Sequence, residues 1–272
     1  MIVLSSLDQD AQAAAESAGV RVALLSRARD MAEASRLLGE VWQMEPPRSP
    51  VEPAFLIGLA EAGGYVAAAH RGNQMVGVCV GFFRPPQDLS LHSQIAGVSG
   101  GAAGRGVGRA LKYHQRAWAA SVGLREIAWT FDPLIARNAF FNIHRLGCEV
   151  SAYLPDFYGP MADGVNGGTL SDRLLVSWSV SDAQPRPDIA DLPAPALRRA
   201  GARPEVCPVP ADVSTLRVEV PEDSEQLRAT APALAHEWRL AIRTILSELQ
   251  AGGWRIADFD RRGFYRFTRE AS

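Results

Sequence analysis

The chain predicts a mixed α/β fold with helices on both faces of a sheet, followed by a small C-terminal α/β extension. Three observations lead there. Between residues 20 and 182 the apolar pattern switches between strand and helix periods, in the order strand, two helices, three strands, helix, strand, helix, strand. Strands mixed with crossover helices build a mixed sheet covered on both faces. Seven prolines between Ser181 and Ala211 then interrupt the periodicity. Beyond them a strand, a long amphipathic helix and two terminal strands return.

Taken in order, residues 1–20 form an alanine- and serine-rich N-terminal segment, and 22–25 suit a first strand ended by Ser26 and Arg27. A helix starts at Asp30, carries Met31, Ala34, Leu38 and Val41 at helical spacing, and stops at Pro46-Pro47. A short helix at 53–62 closes on Gly63-Gly64, with a strand at 65–69. QMVGVCVGFF at 74–83, rich in β-branched and aromatic residues, reads as a central strand, and 91–98 as the next. A glycine-dense turn covers 99–108. Helix 107–121, strand 126–131, helix 136–146 and strand 173–180 complete a main domain spanning 21–182. Residues 183–211 read as a Pro-rich linker. In the extension, 212–272, residues 215–220 alternate like a strand. Thr230 is placed to cap a helix with Pro232 in its first turn and an apolar face of Leu234, Trp238, Ile242, Ile245 and Leu249. That face packs on the main domain or forms a homodimer interface. Strands at 254–259 and 264–267 surround the turn 260–263.

Composition narrows the function. The chain is 272 residues long, 47% hydrophobic and 21% charged, with a formal charge of -2, so it offers no overall basic field for nucleic acid. No apolar run suits a membrane span, and the N-terminus lacks a secretory signal, which points to the cytoplasm and away from a membrane partner. Cys79, Cys148 and Cys207 are widely spaced without a CxxC pair, so no metal site is expected and the thiols read as reduced.

The most informative stretch is LHSQIAGVSGGAAGRGVGRAL at 91–111, where a strand enters a turn bearing Gly100, Gly101, Gly104, Gly106 and Gly108 and then a helix. Glycines let backbone approach a ligand, and N–H groups at a helix N-terminus converge on phosphate oxygens. Arg105 and Arg109 can add charge-assisted bonds. The alternatives are a merely flexible loop or another phosphorylated ligand such as a nucleotide. However, both the GxxxxGK[ST] and GxGxxG spacings are missing.

The segment Val98-Ser99-Gly100-Gly101-Ala102-Ala103-Gly104-Arg105-Gly106-Val107-Gly108 resembles the acetyl-CoA turn of the GNAT N-acetyltransferases, V-x-P-x-x-[QR]-G-x-G-x-[GA]. Gly100 replaces the usual proline and Ala103 the usual glutamine or arginine. The resemblance covers about 20–182 and implies a mostly antiparallel twisted sheet. It also implies an acetyl-CoA-dependent N-acetyltransferase with coenzyme A as co-substrate and a small-molecule or peptide amine as acceptor. The cofactor-binding residues it implies are Gly97, Val98, Ala103, Gly104, Arg105, Gly106, Val107, Gly108 and Arg109. Backbone N–H groups of about 103–108 would hold the pyrophosphate, and the strand ending at Val98 would pair with the pantetheine arm. Ala139 and Gly147 match the family's next helix, while Ile143 stands where a tyrosine acid is common. The phrase ALAHEWRLAIR resembles the C-terminal extension of a predicted acetyltransferase subfamily. With the tyrosine missing, the alternative is a catalytically silent acyl-CoA-binding regulatory or scaffolding module.

Acetyl transfer to an amine needs a route for the amine proton. His92, six residues before Val98, is the candidate catalytic base, and strand alternation places it on one face with Gln94 and Ala96; the alternative is a partly buried histidine satisfied by its neighbours. His144 is a weaker candidate, Asn138 and Asn142 share a helix face, and Asp132 reads as a turn former. Tyr153, Asp156, Phe157 and Tyr158 form either a packed loop or a lid over a cationic amine, and the glycine-rich 161–169 suit a gate.

Overall fold

The computed structural model describes residues 5–159, 170–181, 186 and 190–269. They form two compact units: 5–129 with Ser179–Ser181, and the other described residues from 130 onward.

The first unit opens with a helix, α1 (Ser6–Ala18), in the segment that carried no expected element. Ser5 accepts from the N–H of Asp8 and Asp8 accepts from the N–H of Ser5, a reciprocal capping box, and Gly19 ends the helix in the left-handed conformation. β1 (Arg21–Leu24), α2 (Ala28–Val41), α3 (Pro53–Glu61), β2 (Tyr65–Arg71), β3 (Gln74–Phe83), β4 (Ser90–Val98), α4 (Val107–Ser121) and β5 (Glu126–Phe131) follow. Strands β1 to β5 lie side by side in sequence order, antiparallel except for the β4–β5 pair. Parallel neighbours need a crossover, and the glycine turn with α4 supplies it.

Helices cover both faces of these strands. Val78 and Val80 pack into a core with Met31, Leu37, Leu38 and Leu56 of α2 and α3. On the opposite face, a Cβ at Gly77 would stand 3.0 and 3.1 Å from Leu111 and Val107 of α4. That glycine lets helix and strand approach closely. β2 is buried from Tyr65 to Ala69, and its three consecutive alanines leave room for layers on both sides.

In the second unit, α5 (Ala136–Ala139) widens into a π-helical turn at Phe140–Arg145, where the sequence suggested a continuous α-helix. β6 (Glu149–Leu154) and β7 (Arg173–Ser179) pair antiparallel. β8 (Ala194–Ala200) and β9 (Arg203–Val206) lie in the stretch read as a linker. β10 (Thr215–Glu219), α6 (Ser224–Thr230), α7 (Pro232–Ala251), β11 (Arg255–Asp260) and β12 (Phe264–Thr268) complete the chain. The second sheet runs β11-β12-β10-β8-β9. Pro204 is tolerated because β9 is an edge strand. Thr230 does not cap α7: Ala231 is the N-cap, and the Thr230 hydroxyl donates to Gln226 O. Trp238, Ile242, Ile245 and Leu249 of α7 are buried, and α7 packs on β8 and β9, so the face offered to a homodimer is taken within the unit. Among the described residues, no helix is long and apolar enough to cross a membrane.

Candidate functional site

The site grows from a fork in the first unit. β4 and β5 pair over three rungs only, Ser90, Leu91 and His92 against Glu126, Ile127 and Ala128. β4 then continues to Val98 with β3 on one edge and no β5 partner on the other. Alternate backbone groups of residues 93–98 therefore face an edge with no strand partner among the described residues, which an extended ligand can meet as a strand would.

That edge runs into the glycine turn. A 3-10 turn spans Gly100–Ala102, Gly104 and Gly106 take φ of 73° and 80°, and Gly106 is the N-cap of α4. Among the described residues, nothing accepts a hydrogen bond from the N–H groups of residues 104–109, whereas the N–H of Ala103 already donates to Gly100 O at 3.3 Å. The donor cluster thus begins at Gly104. Cβ atoms at Gly104 and Gly108 would meet nothing within 4 Å, while one at Gly106 would stand 3.5 Å from Ala18 Cβ of α1. Gly104 and Gly108 therefore leave space in front of the donors, and Gly106 serves the α1–α4 contact. Val107 is buried against the sheet, and Arg105 and Arg109 are exposed with no carboxylate partner among the described residues. Arg109 lies over the Tyr113 ring, 4.9 Å from its centroid. N–H groups left without an acceptor among the described residues, at the positive end of a 15-residue helix, are chemically suited to an anion. At Gly97 a Cβ would come within 2.9 Å of the Trp42 ring, so this glycine admits α2 and presents only backbone at the open edge.

His92 does not share a face with Ala96. The β3–β4 register passes from Val80 opposite Ile95 to Gly81 opposite Ser93, leaving Gln94 as a bulge. The extra residue inverts the alternation. Ser93 faces α4, where its hydroxyl accepts from Lys112 Nζ, whereas beyond the bulge Ile95 packs into the α2–α3 core. His92 consequently lies on the α2 side, half-buried, 5.1 Å from the Phe82 ring. Burial lowers its pKa; the hydrogen bond with Gln94 opposes this, and the charges of Arg84 and Lys112 reinforce it. The imidazole is therefore neutral and basic at neutral pH.

Across the sheet, sequence reasoning missed Lys112. It is 5% exposed, with Nζ 2.8 Å from Ser93 Oγ, 3.3 Å from Gln115 Oε1 and 3.6 Å from the centroid of the Trp129 ring. Gln115 Nε2 is buried with no acceptor among the described residues. The available signal was that Lys112 stands seven residues before Ala119, on the buried side of α4.

The remaining candidates lie in the second unit, where they make internal contacts. Asp132 accepts from Leu134 N–H at 2.9 Å, as a turn former does. It also takes two bonds from Arg239, at 2.9 and 2.6 Å, and one from Arg228 at 3.2 Å. Burial raises the Asp132 pKa, but the charge and hydrogen bonds of Arg239 and the Leu134 N–H outweigh it, leaving the carboxyl below its ordinary value. Tyr153 donates to Asp172 at 2.6 Å, and Arg243 also binds Asp172. Burial, then the hydrogen bond to that carboxylate, pushes the phenol well up. Asp156 accepts from Ser171 N–H and Oγ, so its carboxylate is engaged within its own loop rather than set for an amine. Phe157 and Tyr158 are exposed, and the Tyr158 hydroxyl lies 3.1 Å from Thr130 Oγ1. His144 is buried, its Nδ1 3.2 Å from both Asp258 oxygens and its ring stacked on Phe140. Asn142 is buried and Asn138 half-buried. The suggested gate, 161–169, lies outside the described residues.

No family profile and no curated sequence matches the chain. Among solved structures it is similar to yncA of Salmonella typhimurium, solved with its cofactor acetyl-CoA, at 17% identity over 62% of this chain and 98% of that one, with a TM-score of 0.49. A ribosomal-protein-alanine N-acetyltransferase from Brucella melitensis is similar at 18% identity over 58% and 99% of the two chains, with a TM-score of 0.46. An N-acetyltransferase from Staphylococcus aureus is similar at 12% identity over 60% and 99%, with a TM-score of 0.47.

Proposed function

We propose that this chain is an acetyl-CoA-dependent N-acetyltransferase of the GNAT type, passing the acetyl group directly from the thioester to an amine of a small molecule or peptide. One observation carries the reading: the edge of β4 at residues 93–98, which β5 does not pair, leads through the turn at 99–103 to the N–H groups of 104–109, which find no acceptor among the described residues. Coenzyme A has the matching parts in the same order, an extended arm with amide groups and then a pyrophosphate. In this reading the N–H groups of 104–109 and the side chains of Arg105 and Arg109 hold the pyrophosphate, the backbone from Gly97 and Val98 back toward Ser93 meets the arm, and His92 takes the proton of the attacking amine. Acetyl-CoA, when bound, supplies the activated thioester.

The test is thermal unfolding with acetyl-CoA, with ATP and NAD as controls. A ligand at about 100 times its Kd stabilises by roughly 2.7 kcal/mol, which moves the midpoint by several degrees. A shift specific to acetyl-CoA supports the reading. A shift with ATP alone, or with none of the three, refutes it, and a specific shift with no amine acetylated across an acceptor panel favours the silent acyl-CoA-binding module.

His92 adds a pH prediction. Because its pKa is lowered, the base form persists at neutral pH and is lost only as pH falls below about 6.5. The acid limb of kcat is therefore expected below that pH and should vanish in His92→Ala, with turnover down roughly 10²-fold or more and acetyl-CoA affinity unchanged. Equal loss of turnover and affinity would remove His92 from this role.

A further inference from the structure

Lys112 occupies the apex of the fork. The last β4–β5 rung joins His92 to Ala128, so Ser93 and Trp129 are the first residues of the two strands beyond it. Lys112 Nζ touches both, donating to Ser93 Oγ at 2.8 Å and sitting 3.6 Å from the centre of the Trp129 ring. A long cationic side chain from the sheet-facing side of a helix normally reaches water; this one is buried where the strands part. Because of the bulge, His92 lies on the α2 side of the same apex, whereas Ser93 and Lys112 lie on the α4 side. The apex therefore carries a neutral base on one face and a cation on the other.

Resting on the acetyltransferase reading above, we infer that Lys112 stabilises the sulfur that leaves in acetyl transfer. A C–N bond forms as the amine nitrogen attacks the thioester carbon. The C–S bond breaks with its electron pair remaining on sulfur, and the amine proton passes to the His92 imidazole. Lys112 offsets the charge that develops on the sulfur, on the side of the sheet opposite the attacking amine; solvent then protonates the released thiolate, and the His92 imidazolium returns its proton to solvent. Such preorganised charge assists only when it is aimed where charge develops, and the two-faced apex meets that condition.

The test reads the sulfur itself. Thiolate absorbance of coenzyme A bound to the protein is followed against pH, with the desulfo-coenzyme A complex as the blank to cancel Cys79, Cys148 and Cys207. In the wild-type complex the bound thiol is expected to titrate about 1 to 3 pH units below free coenzyme A. In Lys112→Met it should return to the free value, with acetyl-CoA affinity within about twofold by calorimetry and kcat down roughly 10²-fold; Lys112→Arg should recover part of both effects. A wild-type bound thiol that titrates like the free coenzyme overturns the inference, and does so even if Lys112→Met does not fold. An unchanged thiol titration in a folded Lys112→Met also overturns it. If acetyl-CoA does not bind the wild-type protein, the acetyltransferase reading fails and takes this inference with it; binding with an unshifted thiol sinks the inference alone.

Discussion

Gly108→Val is expected to weaken acetyl-CoA binding by at least about 100-fold while leaving the unliganded protein's thermal midpoint within a degree or two. Gly108 sits in the first turn of α4 with a φ that any residue adopts, and a Cβ there meets nothing within 4 Å, so the fold tolerates the side chain. In the proposed reading, a pyrophosphate held by the N–H groups of 104–109 would compete with that side chain for this space. Two or three charge-assisted hydrogen bonds at roughly 1.5 to 3 kcal/mol each exceed the 2.7 kcal/mol that a 100-fold loss represents. Gly106 is a poorer probe, because its φ of 80° and the nearby Ala18 would mix strain at the α1–α4 contact with any loss of ligand. Calorimetric titration beside a melting curve checks the prediction, and unchanged affinity in a folded Gly108→Val protein would contradict the placement of the phosphate.

The second large effect concerns stability. Arg239→Met should destabilise the second unit by about 3 to 5 kcal/mol, because it removes two of the three guanidinium hydrogen bonds that the buried Asp132 carboxylate accepts among the described residues, leaving that of Arg228 and the nearby charge of Arg173. That corresponds to a midpoint lower by roughly 10 °C in calorimetry. Adding Asp132→Asn to Arg239→Met should recover part of the loss, since the cost lies mainly in the stranded charge. The pH dependence has a definite sign. With Asp132 held below its ordinary carboxyl value, its contribution is fully present above about pH 4 and is lost as pH falls through the folded value. The gap between wild type and Arg239→Met should therefore narrow in strong acid; a constant gap would show that the loss comes from packing alone.

Much of the architecture was legible because periodicity is a local signal. The apolar, β-branched run of β3, the alternation in β10 and the helical spacing in α2 and α7 needed only neighbouring residues. Among the elements that escaped, β8, β9 and α1 did so for chemical reasons. The prolines of β8 and β9 read as breakers, yet Pro204 lies in the edge strand β9 and Pro195 precedes the rungs that join β8 to β9, so neither needs to donate to that ladder. The α1 cap was visible as Ser5 with Asp8 three residues later, a carboxylate in place of the more familiar glutamate. At the site, the glycine turn stood out because five glycines fall within residues 100–108. The bulge at Gln94 did not, since a bulge is a property of the β3–β4 pairing, and it moved His92 to the face opposite Ala96. Lys112 escaped because its partners Ser93 and Trp129 are 19 and 17 residues away, and composition alone assigns a lysine to solvent. Asp132 and Arg239, 107 positions apart, could be joined only by the fold.

The second unit is built from separate stretches of the sequence: among the described residues, 130–159 and 170–178 fold as one body with 190–269. Asp132 meets Arg239, Asp172 meets Arg243, His144 meets Asp258, and the Tyr265 hydroxyl donates to Pro133 O at 2.7 Å. A stop codon near residue 190 would therefore not trim an accessory piece. It would strand two carboxylates and a histidine, bare the apolar side chains around them, and turn the stretch after β5 into a substrate for proteases, so the shortest form of this protein that survives in a cell should end beyond β12.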